Sequence, residues 1–136
     1  MKKSMKRYKT LKKALIAVGY DIEIPKRYKP IEICVIDNRI LEVRFATIIA
    51  RKAKYADNLD GKGISGVYFD SCSSKAIKNE FEVDGVKGIE YWNGSSKSPK
   101  CYLAIWNDVE NEYSYSIYSS KGIKPKVTSK WYKLFK

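Results

Sequence analysis

Three acidic side chains alternate along one short segment and are followed by a lysine, an arrangement that could support metal-assisted hydrolysis. On a β-strand Glu80, Glu82 and Asp84 would share a face, with Lys87 close behind. Carboxylates placed in this way can bind Mg²⁺ and position a water. The segment lacks the Glu-x-Lys triplet of restriction-type nucleases. We therefore interpret these residues as exposed acids near a turn.

The absence of histidine and the cysteine pattern exclude most other catalytic chemistry. None of the 136 residues is His, which removes Ser-His and Cys-His nucleophile pairs and nearly every zinc site. Cys34, Cys72 and Cys101 form no C-x-x-C pair, and we expect Cys34 and Cys101 to be buried. Residues 61–63 have two glycines but not the rest of a P-loop. We expect no cofactor, no metal and no enzymatic activity.

Positive charge is concentrated at the two ends of the chain. The protein has 27 Lys or Arg and 15 Asp or Glu, a formal net charge of +12. Residues 1–30 hold ten basic and two acidic residues (+8), residues 31–120 hold eleven and thirteen (−2), and residues 121–136 hold six lysines and no acid (+6). Compositional bias would scatter lysines along the chain, whereas this clustering favours a polyanionic partner.

The first basic segment predicts an amphipathic helix over residues 4–18. Apolar residues recur there at intervals of three and four, with Ser4 as N-cap and Gly19 as C-terminal stop. An extended connector follows at residues 24–30. The basic side of the helix is either a solvated face or an anion-binding face. Its lysines are Lys2, Lys6, Lys9 and Lys13.

The acid-free tail combines lysines with aromatic residues. Lysine beside aromatic rings suits phosphate contact together with base stacking. The tail also reads as a last strand at residues 130–135, which would give Trp131 to the core. Both interpretations stay open for a set that comprises Lys124, Lys126, Lys130, Trp131, Tyr132 and Lys133.

A β-hairpin is predicted directly after the connector. Alternating apolar residues at 31–35 and 41–45 can share one face only if Val35 opposes Leu41. That pairing needs a three-residue loop, residues 37–39, in which Asn38 or a neighbour adopts the left-handed conformation. Residues 46–56 are ambiguous, and we favour a short helix there.

The second half of the chain is rich in strands. We predict them at residues 67–69, 80–83, 88–92, 101–106 and 112–118. If the last two pair through a four-residue loop, Trp106 opposes Tyr113 and Ala104 opposes Tyr115. The resulting aromatic patch is either a platform for single-stranded nucleic acid or part of the core. The patch comprises Tyr102, Trp106, Tyr113 and Tyr115.

These elements predict a single α+β domain over residues 1–136. An N-terminal amphipathic helix packs on a mainly antiparallel, twisted sheet of five to seven strands, which either stays open or curls into a partial barrel. Within it, residues 1–30 form the basic helix and connector, 31–120 the β-rich body, and 121–136 the basic C-terminal strand or tail.

We interpret the protein as a non-catalytic module that binds nucleic acid, DNA or RNA, whose basic ends contact phosphates and whose aromatic residues are candidates for stacking bases. The alternative is a small inhibitor or adaptor of the mobile-element type that docks on an acidic protein surface. A membrane partner is disfavoured because the apolar side of residues 4–18 lacks Trp and Phe. The short apolar run after the basic start and the cysteine usage predict a cytoplasmic protein.

Overall fold

The computed structural model describes residues 5–26, 28–54, 77–83, 85–93, 97–108, 110 and 112–132. Within these ranges the chain forms eight strands and two short helices. The architecture is α+β, as predicted. The elements in chain order are β1 (Met5–Tyr8), α1 (Leu11–Val18), β2 (Glu32–Ile36), β3 (Ile40–Arg44), β4 (Ile49–Lys54), β5 (Ile77–Val83), β6 (Val86–Trp92), β7 (Cys101–Asp108), β8 (Tyr113–Ile123) and α2 (Pro125–Tyr132).

All eight strands form one sheet in the order β1-β2-β3-β4-β8-β7-β6-β5. Every pair of neighbours is antiparallel. The prediction of five to seven strands was therefore too low. The sheet is open and not a partial barrel, with β1 and β5 at its edges.

The β2–β3 hairpin confirms the predicted register and loop. Val35 lies opposite Leu41, and Asp37, Asn38 and Arg39 form the three-residue connection. Asp37 and Asn38 adopt left-handed φ angles of 53° and 57°. Asx residues tolerate this conformation better than most residues with a Cβ atom, because their short polar side chains can hydrogen-bond locally.

The N-terminal helix is shorter than predicted and begins later. Residues 5–8 form the edge strand β1, in which Tyr8 lies opposite Ile33. The helix begins at Leu11, where the Thr10 side chain accepts a hydrogen bond from the Lys13 amide and acts as the N-cap. Gly19 ends the helix at φ 89°. Pairing with β2 gives the first residues the hydrogen bonds that a helix would have supplied.

Two other predicted elements were wrong. Residues 49–54 form β4 and not a helix. Residues 125–132 form α2, and the predicted strand at residues 130–135 is absent from the described part of the tail. Pro125 is the first residue of α2, where its missing N–H costs nothing because this donor lies outside the intrahelical ladder.

The main core lies on one face of the sheet, which we call the helix face. Strand residues of this face alternate and align across neighbouring strands, and both helices contribute to the same cluster through Ala14 and Trp131. Its central strand residues are Ile33, Val35, Leu41, Val43, Ala50, Ala104, Trp106, Tyr115 and Ile117. The opposite face carries two smaller clusters, around Ile40 and Leu103.

Several sequence predictions fall outside the described residues. They are the strand at residues 67–69, the glycine segment 61–63, Cys72, Asp84, Lys2 and Lys133, together with the side chains of Lys126 and Tyr132. Cys34 and Cys101 are buried, as expected.

Candidate functional site

The described lysines of the predicted basic helix stripe do not share a helix face. Lys6 lies on β1, Lys9 precedes the N-cap, and Lys13 lies in the first turn of α1. All three are exposed. Lys6 Nζ lies 5.7 Å from the centroid of the Tyr8 ring. The prediction of one basic helical stripe is therefore wrong, although these lysines remain at the surface.

The C-terminal helix is anchored by a buried tryptophan. Trp131 has 0% of its surface exposed. Its indole centroid lies 5.6 Å from the Tyr28 ring and 5.5 Å from the Phe45 ring. Trp131 therefore belongs to the core, and the interpretation that it stacks bases is wrong. Lys124 and Lys130, on the same segment, are exposed.

Strand register and one ring contact place the start of α1 and the last turn of α2 at the same end of the helix face. Tyr8, Ile33 and Val43 form one row across three strands. The start of α1 follows Tyr8, and Phe45, which contacts Trp131, follows Val43. The first turn of α1 and the last turn of α2 thus lie over the same end of the sheet.

The opposite face carries arginines that the chain neutralises itself. Glu42 is fully buried. Its carboxylate forms salt bridges with Arg44 Nε at 2.9 Å and with Arg51 Nη2 at 2.7 Å. This hydrogen bond to Glu42 raises the pKa of Arg44. At the β1 edge, Arg7 Nε lies 2.8 Å from Glu32 Oε1. These acids are therefore engaged away from the lysines.

Five lysines from the two terminal segments have no such partners. Within the described ranges, no carboxylate lies within 4.0 Å of the ammonium groups of this set. We call it the lysine surface, and it comprises Lys6, Lys9, Lys13, Lys124 and Lys130. Its members are exposed and positively charged, and they come from both ends of the chain.

Two rings of the aromatic patch on β7 and β8 belong to the core and cannot act as a stacking platform, whereas Tyr113 is only partly buried. Trp106 and Tyr115 are each 2% exposed, and their rings stack with centroids 5.6 Å apart. The register differs from the predicted one by two residues, since Trp106 lies opposite Tyr115. An irregularity between Cys101 and Leu103 moves Tyr102 away from this group, and its ring packs on the opposite face.

Sequence reasoning missed a lysine enclosed by tyrosines. Lys52 Nζ lies 4.3 Å from the ring centroid of Tyr113, 5.4 Å from that of Tyr115 and 5.7 Å from that of Tyr20. Burial lowers the pKa of Lys52, and the negative charge of Asp21 opposes this effect. In a strand, Lys52 lies on the same face as Ala50, and this spacing could have indicated that the lysine faces the core. The signal was missed because residues 46–56 were interpreted as a helix.

Next to this lysine is a pocket of about 440 Å³. It lies at the C-terminal end of α1, and its lining includes Tyr20, Asn38, Arg39, Lys54 and Tyr113. The Tyr20 hydroxyl donates to the Arg39 carbonyl oxygen, which ties the chain after α1 to the β2–β3 turn. Burial raises the pKa of Tyr20.

A larger cavity of about 700 Å³ lies near the β5 edge of the sheet and is lined by residues of β5, β6 and β7. Its lining includes Glu80, Glu82 and Lys87, the described members of the acidic group considered for metal-assisted hydrolysis. Among the residues that the structure describes, no group of three or more His, Cys, Asp or Glu could hold a metal ion.

No helix in the described part of the chain is both long and apolar enough to cross a membrane. Comparison with known proteins found no matching family model, no matching curated protein and no matching solved structure.

Proposed function

We propose that this protein is a non-catalytic nucleic-acid-binding module that contacts the phosphate backbone through its lysine surface. The observation that carries the proposal is the contrast between the two faces of the sheet. Arg7, Arg44 and Arg51 are paired with carboxylates, whereas Lys9, Lys13 and Lys130 have no carboxylate within 4.0 Å in the described chain. A polyanion supplies the missing negative charge.

The charge balance of the chain supports the same partner. The two terminal segments carry +8 and +6, whereas residues 31–120 carry −2. Lysines contact phosphate as flexible point charges and release counterions from the polymer, which gives affinity without base recognition. Because Trp131, Trp106 and Tyr115 are buried, the proposed contact is to phosphates and not to bases stacked on these rings.

Fluorescence anisotropy with labelled single- and double-stranded oligonucleotides tests the proposal. If each of the five lysines engages one phosphate of a single strand, the affinity falls by about 100-fold between 50 and 200 mM salt, since each contact contributes about 0.7 to the slope of log affinity against log salt. Affinity that does not change with salt would contradict the proposal. Capture from a nuclease-treated lysate separates it from an adaptor on an acidic protein, because an adaptor would retain its partner after nuclease treatment.

A further inference from the structure

We infer that the pocket at the C-terminal end of α1 binds one nucleotide unit, with its phosphate between Arg39 and Lys54 and its base against Tyr113. The pocket is distinct from the lysine surface, because none of the five lysines of that surface lines it. The inference extends the proposed function and, for a nucleotide within a polymer, rests on it.

The pocket has the size and the rim that such a ligand requires. Its volume of about 440 Å³ lies within the usual range of small-molecule sites, about 300 to 1,000 Å³. Arg39 and Lys54 are exposed at its edge. Lys54 Nζ lies 3.9 Å from Glu112 Oε2, with both side chains largely exposed. Such a pair contributes little energy, so Lys54 can turn to a phosphate at little cost.

The aromatic wall is held in place before any ligand arrives. Tyr20 and Tyr113 meet edge to face, with ring centroids 5.3 Å apart. The Tyr20 hydroxyl donates to the Arg39 carbonyl oxygen, and Lys52 Nζ lies over the Tyr113 ring. Tyr113 lines the pocket, and a base that stacks on it does not have to order a mobile ring, which lowers the entropic cost of binding.

The charges around Lys52 leave the rim cations available. The Lys52 ammonium donates to the Asp21 carbonyl oxygen and experiences the negative charges of Asp21, Glu23 and Asp108. These negative groups offset the charge of Lys52 itself. Arg39 can offer its guanidinium fork to phosphate oxygens, and the exposed Asn38 amide can donate to and accept from a base edge.

Nuclear magnetic resonance with three small probes tests this site. The probes are adenosine 5′-monophosphate, adenosine and inorganic phosphate, each added to the full chain labelled with ¹⁵N. We expect the monophosphate to shift the amides of Gly19, Asn38 and Arg39 and to bind more tightly than either fragment. Equal affinity for inorganic phosphate and the monophosphate would overturn the assignment of the base to Tyr113.

Three variants and a matched control examine the contacts. Arg39→Gln removes one charge from an exposed turn side chain. It should lower the affinity for the monophosphate by about 10-fold or more, as expected for the loss of a hydrogen bond between charged groups. Tyr113→Leu should weaken it while Tyr113→Phe should not, because Phe keeps the ring. Lys78→Gln removes the same charge from β5, on an exposed residue outside this pocket, and should leave affinity unchanged. Equal losses in Arg39→Gln and Lys78→Gln would overturn the inference.

A competition experiment distinguishes this inference from the proposed function. If a single-stranded decathymidylate displaces the monophosphate, the site takes a nucleotide of the polymer; if both bind together, it takes a free nucleotide. If the decathymidylate binds in a salt-dependent way and none of the three small probes shifts the amide resonances of the pocket, the inference is wrong and the proposed function stands. If the monophosphate binds in the pocket and no oligonucleotide binds, the proposed function is wrong and the nucleotide site stands.

Discussion

The indole of Trp131 meets the ring of Phe45 at a centroid distance of 5.5 Å and an interplanar angle of 66°. This edge-to-face contact joins the C-terminal helix to the end of β3. Lys130 directly precedes Trp131 in this helix and is exposed at the surface. A core contact and a basic surface thus depend on the same short helix.

Trp131→Ala should lower the free energy of unfolding by about 3–5 kcal/mol, because it leaves a large cavity in the core. Urea unfolding followed by circular dichroism measures this change. Lys130→Ala, on the adjacent exposed residue, should stay within about 0.5 kcal/mol of the unmodified protein. A Trp131→Ala variant of unchanged stability that no longer bound oligonucleotides would restore the stacking interpretation.

Glu42→Gln should be destabilising by about 1–3 kcal/mol, because the hydrogen bonds from Arg44 and Arg51 lose their charged acceptor. The carboxylate is fully buried, and the Arg51 side chain is 15% exposed. Glu32→Gln is the matched control, since it removes a carboxylate from the exposed pair with Arg7, and it should have a much smaller effect. Equal unfolding midpoints for the two variants would contradict the importance of burial.

The stabilising effect of Cys34 should decline at alkaline pH. Burial, followed by the hydrogen bond to Glu32, raises the pKa of its thiol from 9.0 to about 11. A raised pKa means that the contribution is complete below pH 9 and is lost as pH rises through 11. The difference in unfolding free energy between the unmodified protein and Cys34→Ala should therefore shrink between pH 9 and pH 11. A constant difference over that range would show that the thiol is not held in its neutral form.

The sequence predicts a strand register correctly where the register depends on the alternation of apolar and polar residues. In the β2–β3 hairpin, Val35 had to oppose Leu41, because a shift by one residue would turn one apolar row to the other face. In β7–β8 a shift by two residues preserves both faces, so alternation could not choose the register. Glu112 adopts a left-handed φ of 64° and belongs to the turn, which makes Asp108 and Tyr113 the first pair of the hairpin.

The helices were harder to predict because local spacing and tertiary pairing compete. Met5 and Tyr8 are three residues apart, which fits a helix, yet β2 offers them an edge to pair with. In the tail, Pro125 and the four-residue spacing of Val127 and Trp131 were a helical signal that the alternating pattern of the last residues obscured. The pocket beside Lys52 could not be predicted, because it joins the end of α1 to a turn and to two distant strands.

The salt dependence of oligonucleotide affinity, measured with lysine pairs removed, tests the central claim most directly. One variant carries Lys9→Gln and Lys13→Gln, and the other carries Lys124→Gln and Lys130→Gln. If both pairs contact the same single strand, each variant should reduce the slope of log affinity against log salt by about 1.4, since each phosphate contact contributes about 0.7. A slope that changes with only one pair, or with neither, would contradict a single basic surface built from both ends of the chain.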